Sequence, residues 1–289
     1  MKKSLMGIIL SIAFLVSCQK NDVNNSLSNQ NALSDNPNSL EFLRSLPSYP
    51  SFLYPAPFAG TPIREYLNDQ SPINIVTCNT VKIGSGGPSV HYGTITLSDV
   101  YYDVIEKVLK IKLTPLESTQ NYISLGNRNY YLEEFHFHYK SEHSINNKFD
   151  SMELHFVNKT NDAAGLQYGL AYGVMISLNS IGNDSYQRLF FGAPAIDNQS
   201  HNLFGNETLD LATLLPSDQS KYYSYLGSLT TPNYAEHSDI PNAGPITWIL
   251  LKNKQKISRT NLDTYRNKYT ENNVRTIRPL LCRRVYEKN

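Results

Sequence analysis

Tyr131-Leu132-Glu133-Glu134-Phe135-His136-Phe137-His138-Tyr139 and, after a short loop, Met152-Glu153-Leu154-His155-Phe156-Val157 decide how this chain folds. Successive side chains of a strand point to opposite faces, so Glu134, His136 and His138 share one face while Phe135, Phe137 and Tyr139 share the other. The second run alternates in the same way, with Glu153, His155 and Val157 opposed to Met152, Leu154 and Phe156. If the two strands lie antiparallel, three imidazoles converge on one point and the aromatic faces join a core. Three nitrogen ligands leave one position of a tetrahedral zinc ion open, the catalytic rather than the structural pattern. The same histidines also suit hydrogen-bonded positions inside a sheet, so the residues around them decide the reading.

Working outward, the chain has 289 residues with 40% hydrophobic content, enough for a sizeable core in one large domain. A net charge of +1 argues against a nucleic-acid partner, and 18% charged residues with 20 tyrosines suit a sheet-rich domain better than a helical bundle. Met1-Lys2-Lys3 and the apolar run from Leu5 to Val16 read as a secretory signal, too short for a spanning helix. Leu15-Val16-Ser17-Cys18 closes that run and resembles a bacterial lipobox. Residues 1–17 are thus read as a lipoprotein signal peptide and residues 18–46 as an Asn/Ser-rich tether that cannot repay its ordering entropy. Residues 47–289 are read as the one large domain that carries the histidine strands. Acyl chains on Cys18 would anchor the protein in a membrane, each buried methylene adding about 0.8 kcal/mol. Gln19, where an aspartate would favour inner-membrane retention, points to the outer membrane and leaves either of its faces open. Cys78 and Cys282 remain as an even pair in an oxidising compartment, where either a disulfide or two free buried thiols is chemically permitted.

Beyond the histidines, the chain resembles an alpha-class carbonic anhydrase. Gln70-Ser71-Pro72-Ile73-Asn74-Ile75, the block from Glu134 through Ser141-Glu142-His143 to Val157, Ser228-Leu229-Thr230-Thr231-Pro232, Thr247-Trp248 and a looser tail from Asn273 to Tyr286 follow that family's motifs in order. The resemblance implies an α+β, β-dominated fold: a single domain around a large twisted, mostly antiparallel sheet of about ten strands with short peripheral helices. It implies zinc on His136, His138 and His155, and zinc-bound hydroxide that attacks carbon dioxide to give bicarbonate and a proton. Thr230 then stands between the nucleophile and a buried carboxylate, Glu142. Because an ionised carboxylate only accepts, it takes the threonine proton and leaves the hydroxyl oxygen to accept from the nucleophile. Val157, Leu229, Thr231 and Trp248 line the substrate pocket. Glu134, Glu153 and the backbone carbonyl of Asn273 orient His136, His155 and His138. His143 has a structural role.

The chain also departs from that pattern. Glu134 stands where the family usually has glutamine, which adds negative charge beside a ligand and should make the zinc water less acidic. The usual shuttle histidine falls near Glu106-Lys107-Val108, where no histidine occurs. Extra residues from Asn233 to Pro245, including His237 and Asp239, are expected at the cavity rim, and the aromatic wall common near the family's N-terminus is missing around Phe52 to Tyr66. Two rival functions follow: a binding or scaffold lipoprotein that kept the fold and lost catalysis, and a zinc esterase using the same nucleophile. Zinc content beside comparative rates on carbon dioxide and esters separates them.

Overall fold

The structure, a computed structural model, describes residues 70–84, 86–161, 167–194, 204–205, 207–230, 243–281 and 283–289. Cys18 and the signal and tether segments, Thr231, most of the 233–245 rim segment and Cys282 lie outside the described residues. Among those described, a curled twelve-stranded sheet dominates. Its main path runs Val81–Ile83, Tyr286–Lys288, Tyr222–Gly227, Ala243–Leu251, Gln167–Leu178, Met152–Asn161, Arg128–Tyr139, Val108–Lys112, Asp99–Asp103. Three short helices, Pro115–Gln120, Asp184–Gly192 and Arg259–Lys268, accompany it.

Most ladders are antiparallel, as expected, but the sheet is mixed. Gln167–Leu178 pairs parallel with both Ala243–Leu251 and Gln255–Ile257, and Tyr286–Lys288 pairs parallel with Val81–Ile83. Parallel neighbours need long crossovers, so local alternation along the sequence does not reveal them. The sheet therefore has more strands and more parallel pairs than the sequence suggested.

The two histidine strands are central neighbours. Arg128–Tyr139 and Met152–Asn161 run antiparallel with His136 opposite His155, His138 opposite Glu153, and Phe137 opposite Leu154. A register shift falls at Val157/Asn158, just past the functional residues. Phe135, Phe137, Leu154 and Phe156 are fully buried on the far face. There the Phe137 ring meets Phe190 at 5.0 Å and Tyr186 at 5.8 Å, both from the helix Asp184–Gly192. Tyr265, from Arg259–Lys268, donates its hydroxyl to the Phe137 carbonyl at 2.8 Å. Both helices start on side-chain caps: Asn183 accepts from the backbone N–H groups of Ser185 and Tyr186, and Ser258 from that of Asn261. Clamping the apolar face from behind holds the histidine face in one orientation.

Cys78 is a free, exposed thiol, so the structure has neither a disulfide nor a buried thiol at that position. It sits in a short 3-10 turn, Thr77–Asn79, that buries none of its residues. Among the described residues no helix is long and apolar enough to cross a membrane.

Candidate metal centre

Three strand positions place His136, His138 and His155 together, with one nitrogen from each lying within 4.8 Å of the others. All three are buried. Burial disfavours the charged ring, holding His136 well below the ordinary imidazole range and His138 down at about 4, the latter against the pull of its bond to Asn273. His155 is also lowered by burial, with Glu153 opposing the shift. Neutral imidazole is the form that ligates a metal.

Which nitrogen each ring offers follows from what holds the other. His138 Nδ1 lies 2.6 Å from the Asn273 carbonyl, so Nε2 is the free atom, and it has no partner. His155 Nε2 lies 2.9 Å from Glu153 Oε1, which leaves Nδ1. His136 Nδ1 is 3.4 Å from Glu134 Oε1 without forming a hydrogen bond, and neither of its nitrogens has a partner. Buried, unpaired polar atoms are costly unless something occupies the space between them, and a divalent cation fits this donor set.

Glu153 is saturated. Its Oε2 accepts from the backbone N–H groups of Glu142 (2.8 Å) and His143 (2.9 Å), and its Oε1 accepts from His143 Nδ1 (2.7 Å) and His155 Nε2. Burial alone would raise its pKa, but the imidazoles of His143 and His155 outweigh that and hold the carboxyl well below the usual range. His143, Glu153 and His155 also lie close enough to suggest a second metal set. The 2.7 Å contact within it argues otherwise, because two ligands of tetrahedral zinc stand about 3.3 Å apart. A shared proton, not an ion, spans that gap. His143 Nε2 in turn lies 2.6 Å from the Tyr225 hydroxyl, which donates to Ser71 Oγ.

Glu142 stands beside the trio, with its Oε2 at 3.5 Å from His138 Nε2 and 4.0 Å from His155 Nδ1. Its Oε1 accepts from the Arg275 backbone N–H at 2.7 Å, and its buried Oε2 has no hydrogen-bond partner. Burial pushes Glu142 up to about 7, against His155, Thr230 and Arg275, which favour its charged form. Thr230 is buried, while Leu229 and Val157 are half-buried. Trp248 packs its ring 4.8 Å from that of His155 and donates Nε1–H to the Ser228 carbonyl at 2.9 Å. The arrangement offers three neutral imidazoles, a buried carboxylate beside them, and an apolar wall.

Some functional contacts had no sequence counterpart. Arg275 donates from its guanidinium to the Ser71 carbonyl and Gln70 Oε1, joining the start of the domain to its tail beneath Glu142. Asn273 does more than offer its carbonyl: its side chain accepts from Tyr139 N–H and donates to the Phe137 carbonyl, locking the end of the histidine strand. Glu134, expected to accept from His136, is drawn toward Lys110, whose Nζ lies 3.3 Å from the same oxygen. A lysine inside the apolar run Val108-Leu109-Lys110-Ile111 was the one signal for that ion pair. Near the expected shuttle position, Lys107 turns outward with φ 60° and pairs with Glu271 at 2.8 Å.

Comparison with known proteins agrees with this geometry. The family model for eukaryotic-type carbonic anhydrase matches residues 65–289. A carbonic anhydrase of Klebsiella pneumoniae is 29% identical over 221 residues, 76% of this chain and 80% of the relative. The solved structure of Thermovibrio ammonificans alpha-carbonic anhydrase in complex with sulfanilamide is 30% identical, with a TM-score of 0.62 and coverage of 77% of this chain and 91% of that one. Photobacterium profundum alpha-carbonic anhydrase gives a TM-score of 0.60 at 25% identity, covering 76% and 89%. A match over most of the chain, on a fold carrying three converging imidazoles, leads to one assignment: this chain belongs to the alpha-class, eukaryotic-type carbonic anhydrases.

Proposed function

We propose that this protein catalyses the reversible hydration of carbon dioxide to bicarbonate and a proton, and that His136, His138 through Nε2 and His155 through Nδ1 would hold zinc. The observation that carries this reading is the convergence of three buried imidazoles, with both nitrogens of His136 and Nε2 of His138 unpaired, beside the buried, unpaired Oε2 of Glu142. Zinc bound there supplies Lewis acidity, which makes water nucleophilic near neutral pH. The chain's residues do the remainder. The Asn273 carbonyl and Glu153 fix the tautomers of His138 and His155, so each ring presents a lone pair inward. Glu142 takes the Thr230 proton, so the hydroxyl oxygen accepts from the attacking water rather than donating to it. Val157, Leu229 and Trp248 offer carbon dioxide an apolar wall that needs no charge.

Zinc analysis beside stopped-flow carbon dioxide hydration tests the reading: one zinc per chain and a rate blocked by an aromatic sulfonamide are expected. Zinc without hydration would favour the scaffold, and ester cleavage that outpaces hydration would favour the esterase.

Proton release should limit turnover, because Lys107 is engaged with Glu271 and no histidine stands in its place. Imidazole-type buffers are therefore expected to raise kcat as their concentration rises, and a rate indifferent to buffer would contradict this. On the sequence of Leu15 to Cys18 we further propose an exported lipoprotein, anchored through Cys18 to the outer membrane. Radiolabelled palmitate incorporation that is lost in Cys18→Ser tests the anchor.

A further inference from the structure

Lys110 is 5% exposed and sits directly across the sheet from His136. Three carboxylates surround its ammonium: Glu106 at 2.7 Å, Glu134 at 3.3 Å and Asp103 at 3.5 Å. Burial disfavours its charged form, but Glu134 and Glu106 outweigh that and keep it protonated. A fixed cation is thus built into the wall of a site meant for a divalent cation, which by itself would repel the metal. The compensating charge is Glu134, whose Oε1 faces both Lys110 Nζ and His136 Nδ1. Asp103 and Glu106 belong to the same hairpin as Lys110, and Asp103 Oδ1 accepts from the backbone N–H groups of Ile105 and Glu106, so that corner is held in place.

We propose that Lys110 is a charge-balancing, positioning residue of the metal centre: its ammonium offsets the Glu134 carboxylate, so the pair acts on His136 as a neutral group would. The inference rests on the zinc reading above. It explains how a glutamate can stand beside a metal ligand without adding a full negative charge there. A purely structural Lys110 would bolt the Asp103–Lys112 hairpin to the histidine strand and have no signed effect on the metal.

The sign of the change in zinc affinity separates the two roles. Dissociation constants for zinc would be measured by chelator competition, and repeated with cobalt, whose visible spectrum reports the ligand field. Glu134→Gln removes the one carboxylate of this cluster that faces His136 while the lysine stays, and zinc should bind about tenfold more weakly, within the range that outer partners of metal ligands command. Lys110→Met leaves Glu134 unopposed and should tighten binding about tenfold. Lys110→Met combined with Glu134→Gln should return to within about threefold of the parent protein, so removing the lysine rescues the glutamine variant.

If Lys110→Met does not fold with three carboxylates unpaired, the double variant compared with Glu134→Gln carries the test alone. A double variant as weak as Glu134→Gln, or weaker, overturns the proposal, and so do two single variants that shift affinity in the same direction. A parent protein without stoichiometric zinc would instead overturn the metal reading itself, and this proposal with it.

Discussion

A His138→Ala chain is expected to emerge with zinc well below one ion per molecule and to hydrate carbon dioxide no faster than buffer alone. Loss of a direct ligand should exceed the 10–100-fold fall in affinity that loss of an outer partner brings. His138 is a clean position for the test because its ring is held by a backbone carbonyl, that of Asn273, rather than by a charge. Truncation strands one acceptor, at a cost of about 1–3 kcal/mol, and leaves the Phe137 contacts on the opposite face intact. The variant should therefore fold, which thermal unfolding monitored by near-ultraviolet circular dichroism would verify. A folded His138→Ala protein that keeps stoichiometric zinc would mean that the metal sits elsewhere.

Thr230→Val should have the opposite signature, with full zinc and a crippled reaction. Valine keeps the shape and removes the hydroxyl, so Glu142 loses a neighbour that favours its charged form while keeping the Arg275 N–H. The reacting water then lacks its acceptor, and kcat/KM should fall by about 10²–10³-fold, the range seen when a preorganised polar contact to a reacting oxygen is lost. That corresponds to about 3–4 kcal/mol of transition-state stabilisation. Glu142→Gln should behave similarly, since an amide can donate and no longer dictates which way the threonine proton points. A Thr230→Val enzyme with parental turnover would detach the pair from catalysis.

How much of this was legible in the sequence depended on whether the information was local. Period-two alternation around His136, His138 and His155 is a property of a few consecutive residues, so their common face and the buried phenylalanines behind them could be read directly. Glu142 and Thr230 lie far apart in the chain, and only the family resemblance brought them together before the structure did. The Glu134–Lys110 pair left only one local sign, a lysine in an apolar run, because the partner it meets depends on the register between Val108–Lys112 and Arg128–Tyr139. Glu134 alone looked like an added charge. Parallel neighbours such as Ala243–Leu251 against Gln167–Leu178 were missed for the same reason, since crossovers leave no trace in alternation. The free, exposed Cys78 shows that whether a cysteine pairs depends on what it meets in space, which a count of cysteines does not reveal.

Tyr286–Lys288 lies between Val81–Ile83 and Tyr222–Gly227. The strand made early in the described chain therefore waits for the last one before it gains a ladder partner, and closing so long a loop costs entropy that no local contact returns in advance. Such a fold should mature slowly and as a unit, since pairings this distant in sequence set the pace of assembly. A chain cut short before Tyr286 would therefore leave Val81–Ile83 with no ladder partner and that edge of the sheet open.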